Sequence, residues 1–251
     1  MSGHSKWSTI KRAKGVADAK RGQLFTKLGR EIEIAARDGG GDPGANFRLR
    51  LAVDKARQAN MPKDNIERAV LRGTGKLKGA SIEEIKFEGY GPQGTALIVE
   101  VLTDNRNRTV SDVRRAFSRH GGNLGETGSV AWLFERKGYI SIVPEDGEAE
   151  ELALIAIDAG ADDVKVDKDL VEVFTKGEDL PKIREALQQR NIPFTTAQLS
   201  WMPRTVVQLD EKATIQNMRL IDTLEELDDV QQVYSNLEIN DKVMAAYEAE
   251  Q

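Results

Sequence analysis

The hydrophobic positions of the first eighty residues recur every three to four residues, the spacing of amphipathic helices. The first predicted helix spans residues 16–37, and its apolar face is formed by Leu24, Phe25, Leu28, Ile32 and Ala35 or Ala36. It ends at the segment GGGDPG, where glycine and proline cannot continue a helix. A second helix points Leu49, Ala52, Val53 and Ala56 inward. A third begins near Asp64, which has capping-box spacing to Glu67.

After residue 80 the hydrophobic period changes to two, which predicts strands. The segment EIKFEGYGPQGTALIVEV is interpreted as a strand, a turn and a strand, and a helix follows from Asn107 to His120. Val130, Trp132 and Phe134 then alternate as in a further strand. From residue 139 to residue 201 the predicted order is strand, helix, strand, strand, helix, strand, which is the order of a ferredoxin-like domain.

The last predicted unit consists of the strand TVVQL, a helix and the strand VQQVYSN. It has no partners of its own and would complete the sheet that begins at residues 84–103. We therefore predict an α+β protein of three domains, an N-terminal helical domain and two ferredoxin-like α/β sandwich domains, with the third inserted in the second. The predicted ranges are 1–80 for the helical domain, 81–136 with 204–251 for the discontinuous domain, and 137–203 for the inserted domain.

Composition argues against several classes of protein. The 251 residues contain no cysteine and two histidines, His4 and His120, which are far apart in the sequence. No apolar run is long enough for a membrane span, and no secretory signal is recognisable. We expect a cytoplasmic protein without membrane contact, metal, cofactor or catalytic residues. A mitochondrial transit peptide is the weaker alternative for the basic N-terminal residues.

Charge is distributed unevenly along the chain, whose overall net charge is −5. Residues 1–80 carry 18 Lys and Arg against 8 Asp and Glu, a net +10, whereas residues 81–251 carry 18 against 33, a net −15. Such asymmetry between the halves of a chain indicates a polyanionic partner for the basic half. We therefore expect residues 1–80 to contact the phosphates of a nucleic acid.

The predicted contact residues have side chains that bind phosphates or stack on bases. They are Lys6, Trp7, Lys11, Arg12, Lys14, Lys20, Arg21, Arg48, Arg50, Arg57, Arg106 and Arg108. A solubilising N-terminal arm and ordinary charged helix faces are the alternative interpretation. The segment RQANMPKDNIER also allows a helix-turn-helix that directs Asn65, Arg68 and Arg72 into a groove, although a plain helical hairpin is the better interpretation.

Several motifs occur together and in a fixed order: GHSKW, DAKRG, GGGDPGANFRLR, NMPKDNIERA, EGYGPQGTA, TDNRNRT, HGGNLG, GSVAWLFERKG and ELDDVQQVYSN. With them the chain resembles the YebC/PmpR family, and its mitochondrial relative the translational activator of cytochrome oxidase, over nearly its whole length. The resemblance implies a three-domain, cytoplasmic and non-enzymatic protein. No transit segment precedes GHSKW, which favours a bacterial member.

The resemblance leaves the target open, since some family members are described as probable DNA-binding transcriptional regulators and others as ribosome-associated translation factors. We therefore expect a nucleic-acid-binding regulator of gene expression, with DNA as its partner or, alternatively, rRNA or the ribosome. The acidic part, residues 81–251, is a candidate surface for a protein partner. An enzyme built on this acidic scaffold is the third hypothesis.

Overall fold

The computed structural model describes residues 18–79, 81–145 and 147–249. In this part of the chain the helices are α1 (Asp18–Gly39), α2 (Phe47–Gln58), α3 (Lys63–Gly73), α4 (Arg106–Arg119), α5 (Ala149–Asp158), α6 (Leu180–Gln189), α7 (Glu211–Glu225) and α8 (Asp241–Ala249). The strands are β1 (Glu83–Tyr90), β2 (Ala96–Thr103), β3 (Asn123–Leu124), β4 (Phe134–Ile142), β5 (Asp163–Asp167), β6 (Leu170–Thr175), β7 (Thr196–Pro203) and β8 (Val230–Ser235).

The first three helices form a helical unit around one shared core. α1 packs against α2 and α3, and the buried side chains include Leu28, Ile32, Leu49, Val53 and Ile66. Leu28, Ile32, Leu49 and Val53 belong to the apolar stripes that the sequence spacing predicted, since a helix buries the face on which its apolar residues recur. The predicted capping box is wrong, because α3 begins at Lys63 after Pro62 and no side chain caps its first turn.

The first sheet has the strand order β3-β1-β2-β8 and is antiparallel throughout. Helices α4 and α7 cover one of its faces, where they pack on Leu97, Val99 and Val101 of β2. The alternate residues Ala96 and Ile98 are buried on the opposite face. Strand β2 is therefore covered on both sides, which explains its almost continuous apolar sequence. β8 completes this sheet as the sequence predicted.

The second sheet has the strand order β5-β6-β4-β7 and is also antiparallel. Helices α5 and α6 pack on one face around Ile140, Val173 and Leu180. β4 and β7, the first and last strands of this segment, pair with each other from Phe134 and Pro203 onward. The predicted α+β fold class, a helical unit and two α/β sandwiches, is confirmed. The residue boundaries of the three domains stay a prediction.

Two of the predicted strands are wrong. Val130, Trp132 and Phe134 alternate in the sequence, but Ala131–Leu133 forms a short 3-10 helix and β4 starts at Phe134. The segment TVVQL likewise forms only an isolated bridge, to Leu237. Alternation over so few residues cannot separate a strand from a turn of similar composition.

One buried carboxylate, that of Asp229, joins the helical unit to the first sheet. Its Oδ1 accepts a hydrogen bond from Arg30 Nη1 of α1 at 2.8 Å, and its Oδ2 accepts one from Arg108 Nη2 of α4 at 2.9 Å. The hydroxyls of Thr103 and Thr109 donate to Oδ2 at 3.1 and 2.6 Å. Two guanidinium groups and two hydroxyls thus compensate the buried charge, which would otherwise be costly.

Helix α1 also binds the C-terminal end of α7. Lys27 donates to the carbonyl of Glu225, and Gln23 donates to the carbonyl of Glu226 and to the carboxylate of Asp228. Terminal carbonyls have no partner within their own helix and carry the negative end of its dipole, so a lysine is favourable there. These contacts and the Asp229 cluster hold α1 on the same edge of the first sheet.

Two further contacts join the helical unit to the first sheet and to helix α6, which packs on the second sheet. Ile34 of α1 packs against Ile82 and Leu102, where the first sheet begins and β2 approaches its end. Asp54 of α2 pairs with Arg184 of α6, a buried side chain of the segment that builds the second sheet. The helical unit therefore contacts the first sheet through apolar side chains and helix α6 through a charged pair.

We predict that Asp229→Asn lowers the free energy of unfolding by about 3 kcal/mol at pH 7, because it leaves Arg30 at the junction without a counter-charge and leaves Arg108 with the exposed Asp104 alone. Urea denaturation measures this difference. Asp228→Asn is the matched control: Asp228 is exposed, and its replacement should cost about 0.5 kcal/mol or less. Equal losses in the two variants would contradict the structural role of Asp229.

The difference in stability between the wild type and Asp229→Asn should also depend on pH. Burial by itself raises the pKa of Asp229, but hydrogen bonds from Thr109 and Arg108 and the charge of Arg30 outweigh it and bring the pKa below its ordinary 3.8. A carboxylate whose pKa is depressed by folding adds stability above its unfolded pKa and loses it as the pH falls through the folded pKa. The stability difference between the wild type and Asp229→Asn should therefore be constant from pH 7 to about pH 5 and narrow at lower pH.

Candidate nucleic-acid interface

The N-terminal residues of the predicted interface lie outside the described part of the chain: Lys6, Trp7, Lys11, Arg12 and Lys14. The backbone of Lys20 and Arg21 belongs to the first turns of α1, and the side chain of Arg21 is exposed. The part that these residues play in binding stays a prediction.

The predicted arginines of α2 are exposed, but each has a partner inside the protein. Arg48 donates to both carboxylate oxygens of Glu84 at 2.9 and 3.0 Å and to Asp38 at 3.1 Å. Arg50 donates to two backbone carbonyls of the preceding loop, at 2.9 and 3.0 Å. Arg57 lies 3.7 Å from a carboxylate of its own helix. Exposed ion pairs contribute only about 0–1 kcal/mol, so a phosphate can compete for these side chains, and their role in binding stays a prediction.

The two predicted arginines of α4 differ in their surroundings. Arg106 is exposed and forms no ion pair with another described residue. Arg108 donates to Asp229 and to Asp104 at 2.9 Å each, and these hydrogen bonds raise the pKa of Arg108 above its ordinary value. Arg106 is therefore available to an anion, whereas Arg108 holds the junction between the helical unit and the first sheet.

Helix α4 carries a basic face that the sequence analysis missed. It contains five arginines and one aspartate, although it belongs to the acidic part of the chain. Val113 and Phe117 bury its inner side, and Arg114, Arg115 and Arg119 are exposed on its outer side. None of these three arginines forms an ion pair with another described residue. The signal was visible in the sequence as a surplus of arginine on one helix within an acidic region.

His120, directly after α4, reports the positive charge around it. Its Nε2 lies 2.9 Å from Thr223 Oγ1 of α7. Burial lowers the pKa of His120, and the charges of Arg119 and Arg219 lower it further. Arg119 of α4 and Arg219 of α7 therefore both lie close enough to His120 to lower its pKa. We call Arg114, Arg115, Arg119 and Arg219 the α4–α7 basic face.

A second basic region is the open groove of about 400 Å³ between α1, α3 and the start of α4. It is lined by the side chains that a helix-turn-helix would direct at DNA: Asn65, Arg68 and Arg72. Arg72, however, is paired with Glu33 at 2.8 Å, and Lys63 lies 3.4 Å from Glu67. Among the described basic residues of α3, Arg68 alone forms no ion pair. Helices α2 and α3 form a hairpin in which α3 presents no free row of donors for reading bases.

Three buried carboxylates have shifted pKa values, each for a local reason. Asp229 lies at the junction described above. Burial raises the pKa of Glu88, but hydrogen bonds from backbone N–H groups outweigh it, so that the pKa is lowered. Burial also raises the pKa of Glu172, which a hydrogen bond from Tyr139 only partly offsets. These three groups lie in different places, so they do not form one acid-base site.

The described residues do not meet the requirements of a metal site or of a membrane-spanning helix. In residues 18–79, 81–145 and 147–249, no group of three or more histidine, aspartate or glutamate side chains is placed to hold a metal ion. None of the helices in these ranges combines the length and the apolar content needed to cross a bilayer.

Two family models match nearly the whole chain. The TACO1/YebC protein N-terminal domain matches residues 5–76, and the TACO1/YebC second and third domain matches residues 82–237. The two models meet where the helical unit gives way to the first sheet. They agree with the position at which the charge of the chain changes sign.

Individual proteins match at similar length. A probable transcriptional regulatory protein of Desulfosudis oleivorans is 53% identical over 97% of this chain and 99% of its own. One from Dehalococcoides mccartyi is 51% identical over 100% of both. Among solved structures, the conserved hypothetical protein Aq1575 from Aquifex aeolicus is 48% identical, with a TM-score of 0.84 over 89% of this chain and 93% of its own.

We predict that Arg119→Gln raises the pKa of His120, because it removes one of the two charges that disfavour the imidazolium. The pKa should stay below its ordinary value, since the burial remains. An NMR titration of the imidazole signals measures this, and a His120→Gln spectrum separates the signal from that of His4. Arg114→Gln is the control with the same loss of charge on the same helix; an equal shift in that variant would contradict the convergence of Arg119 and Arg219 on His120.

Proposed function

The chain belongs to the TACO1/YebC family, and from this premise we propose that it regulates gene expression by binding nucleic acid, without a catalytic step of its own. The names of its relatives support the regulatory part, since they are called probable transcriptional regulatory proteins. Binding of nucleic acid is our inference from charge and geometry. A protein with this task works in the cytoplasm, where its target lies.

The observation that carries the proposal is the α4–α7 basic face. Three of its arginines are exposed and form no ion pair with another described residue, in a part of the chain whose net charge is −15. Solubility does not require positive charge there, because the surrounding excess of carboxylates already provides it. A guanidinium group binds two phosphate oxygens in a planar geometry, so a row of exposed arginines suits a sugar-phosphate backbone.

The basic N-terminal part is expected to act together with this face. Residues 1–80 carry a net charge of +10, and many described cations of this part are used in contacts within the protein, such as Arg30, Arg48 and Arg72. The residues before α1 add four further cations: Lys6, Lys11, Arg12 and Lys14. The two basic regions would hold a nucleic acid mainly by its phosphates, which makes binding sensitive to salt.

DNA is the target that the names of the relatives favour, and RNA or the ribosome is the second candidate. One feature of α3 supports RNA or the ribosome. Its basic residues are mostly paired, so they do not form a row that could read bases in the major groove of DNA. Competition between duplex DNA, RNA of matched length and purified ribosomes at near-physiological salt distinguishes the two. A regulator that reads a DNA site must keep its preference for that duplex over random duplex under these conditions.

We predict that the triple substitution Arg114→Gln, Arg115→Gln and Arg119→Gln weakens the binding of nucleic acid and flattens its dependence on salt. Loss of three phosphate contacts should reduce the slope of log K against log salt concentration by about 2 for a single strand. Fluorescence anisotropy with a labelled oligonucleotide at several salt concentrations measures the slope. The matched control is Lys168→Gln, Lys176→Gln and Arg190→Gln, which removes equal charge from exposed positions of the segment that builds the second sheet. Equal effects of the two triple variants would show a response to net charge only.

The N-terminal arm is tested separately. We expect Lys11→Gln, Arg12→Gln and Lys14→Gln to lower affinity and to flatten the salt dependence in the same assay, because each lysine or arginine can neutralise one phosphate. The thermal unfolding of this variant should match that of the wild type. Unchanged affinity with an unchanged slope would remove these residues from the interface.

A further inference from the structure

Trp132 is exposed to an unusual degree for a large aromatic side chain. In the described part of the chain it is 68% exposed, the highest value among the large hydrophobic residues. It lies in the short 3-10 helix Ala131–Leu133, immediately before β4. Burial of an indole ring is a large source of stability, so a ring left in solvent gives up that contribution.

The main chain around Trp132 is held firmly in place. The carboxylate of Glu88, a buried residue of β1, accepts hydrogen bonds from the backbone N–H groups of Val130 and Ala131 at 2.9 and 2.8 Å. The indole Nε1 of Trp132 donates to the carbonyl of Ser129 at 3.0 Å, and Tyr90 donates to the same carbonyl at 2.8 Å. The hydrogen bond of Nε1, the only polar atom of the indole, thus orients the ring and leaves its two faces uninvolved.

The other described tryptophan, Trp201, shows the opposite arrangement. Its Nε1 donates to Glu100 at 2.8 Å, and Lys86 Nζ and Arg136 Cζ lie 4.6 and 5.7 Å from its ring centroid. Its π-surface is therefore already occupied by cations of the protein. Trp132 has no ring contact or cation–π contact with another described residue. Trp201 of β7 thus links the second sheet to Glu100 of the first sheet, whereas the ring of Trp132 is exposed.

An exposed arginine, Arg204, is linked through the backbone to the residue that follows Trp132. The backbone N–H of Arg204 donates to the carbonyl of Leu133 at 2.8 Å, which brings Arg204 beside the neighbour of Trp132. The side chain of Arg204 is exposed and forms no ion pair with another described residue. The loop that leads to Trp132 exposes Glu126 and Thr127.

We propose that Trp132 is a stacking platform for an unpaired nucleobase and that Arg204 binds the adjoining phosphate, so that the protein takes up single-stranded nucleic acid at this place. The inference rests on the proposed function and specifies the strand state of its ligand. An exposed, oriented aromatic ring with an exposed arginine held at the adjoining backbone matches a base and its phosphate, because every base offers a π-face and every nucleotide a negative charge. A base inside a duplex is already stacked and cannot reach such a platform.

The test compares Trp132→Leu, which removes the flat ring but keeps an apolar side chain, with Trp132→Phe, which keeps a ring. Labelled single strands of uridine and of thymidine, and a duplex of the same length, are titrated by fluorescence anisotropy. We expect Trp132→Leu to bind both single strands about 10-fold more weakly and Trp132→Phe to stay within about 3-fold of the wild type. Duplex binding should be unchanged. A loss with RNA alone or with DNA alone also supports the platform and identifies the sugar of the natural ligand.

A second readout uses the fluorescence of the ring itself. In a Trp7→Phe background, single strands should quench the emission of the protein, and the quenching should disappear when Trp132 is also replaced by Phe. Trp201 then remains as an internal reference, because cations already lie near its ring. Arg204→Gln should weaken the binding of single strands, whereas Arg190→Gln, an exposed arginine elsewhere, should not.

The outcomes separate the platform from the proposed function. If the wild type binds nucleic acid but Trp132→Leu binds single strands equally well, the platform is wrong and the proposed function stands. A loss that is as large for the duplex as for the single strands also overturns the platform. If the wild type binds neither strand nor duplex, both ideas fail, and Trp132 is then better explained as a contact for a protein partner. Because Trp132 is exposed, thermal unfolding of the Leu and Phe variants should match the wild type.

Discussion

The charge of Asp229 has to be neutralised for the helical unit and the first sheet to stay together. It is a single carboxylate, yet it meets an arginine of α1, an arginine of α4 and two threonine hydroxyls. None of these groups could be buried alone without a large desolvation penalty. The position of α1 on the sheet therefore depends on this balanced cluster, together with the contacts that Gln23, Lys27 and Ile34 make beside it.

This cluster changes the meaning of the positive charge in the sequence. Arg30, Arg48 and Arg72 contribute to the net +10 of residues 1–80, but their guanidinium groups donate hydrogen bonds to carboxylates of the same chain. Four arginines of α4 belong to the acidic part and form no ion pair with another described residue: Arg106, Arg114, Arg115 and Arg119. Net charge describes long-range attraction to a polyanion. The contact itself depends on which guanidinium groups have no internal partner.

The sequence predicted the elements with strong periodicity and left out what depends on distant pairing. The stripes of α1 and α2 followed from spacing, and the addition of β8 to the first sheet followed from the lack of partners within the last predicted unit. The partners of Arg108 could not be foreseen, because Asp229 is far away along the chain and the contact exists only after the sheet has formed. Trp132 was placed in a strand because it alternates with Val130 and Phe134, whereas backbone hydrogen bonds to Glu88 bend that segment into a turn. Alternation describes local preference, and a buried acceptor can overrule it.

The pairing of Phe134 with Pro203 has a consequence for how the chain closes on itself. The segment between them contains the whole second sheet, yet it leaves and rejoins the rest of the chain at two directly opposed positions. The pairing of β4 with β7 brings the two ends of this long segment together and so shortens the free length of chain between β2 and β8. The entropy of loop closure depends on the free length of chain. The segment 134–203 therefore adds a surface to the protein, and the strands before and after it, β2 and β8, still pair in the first sheet.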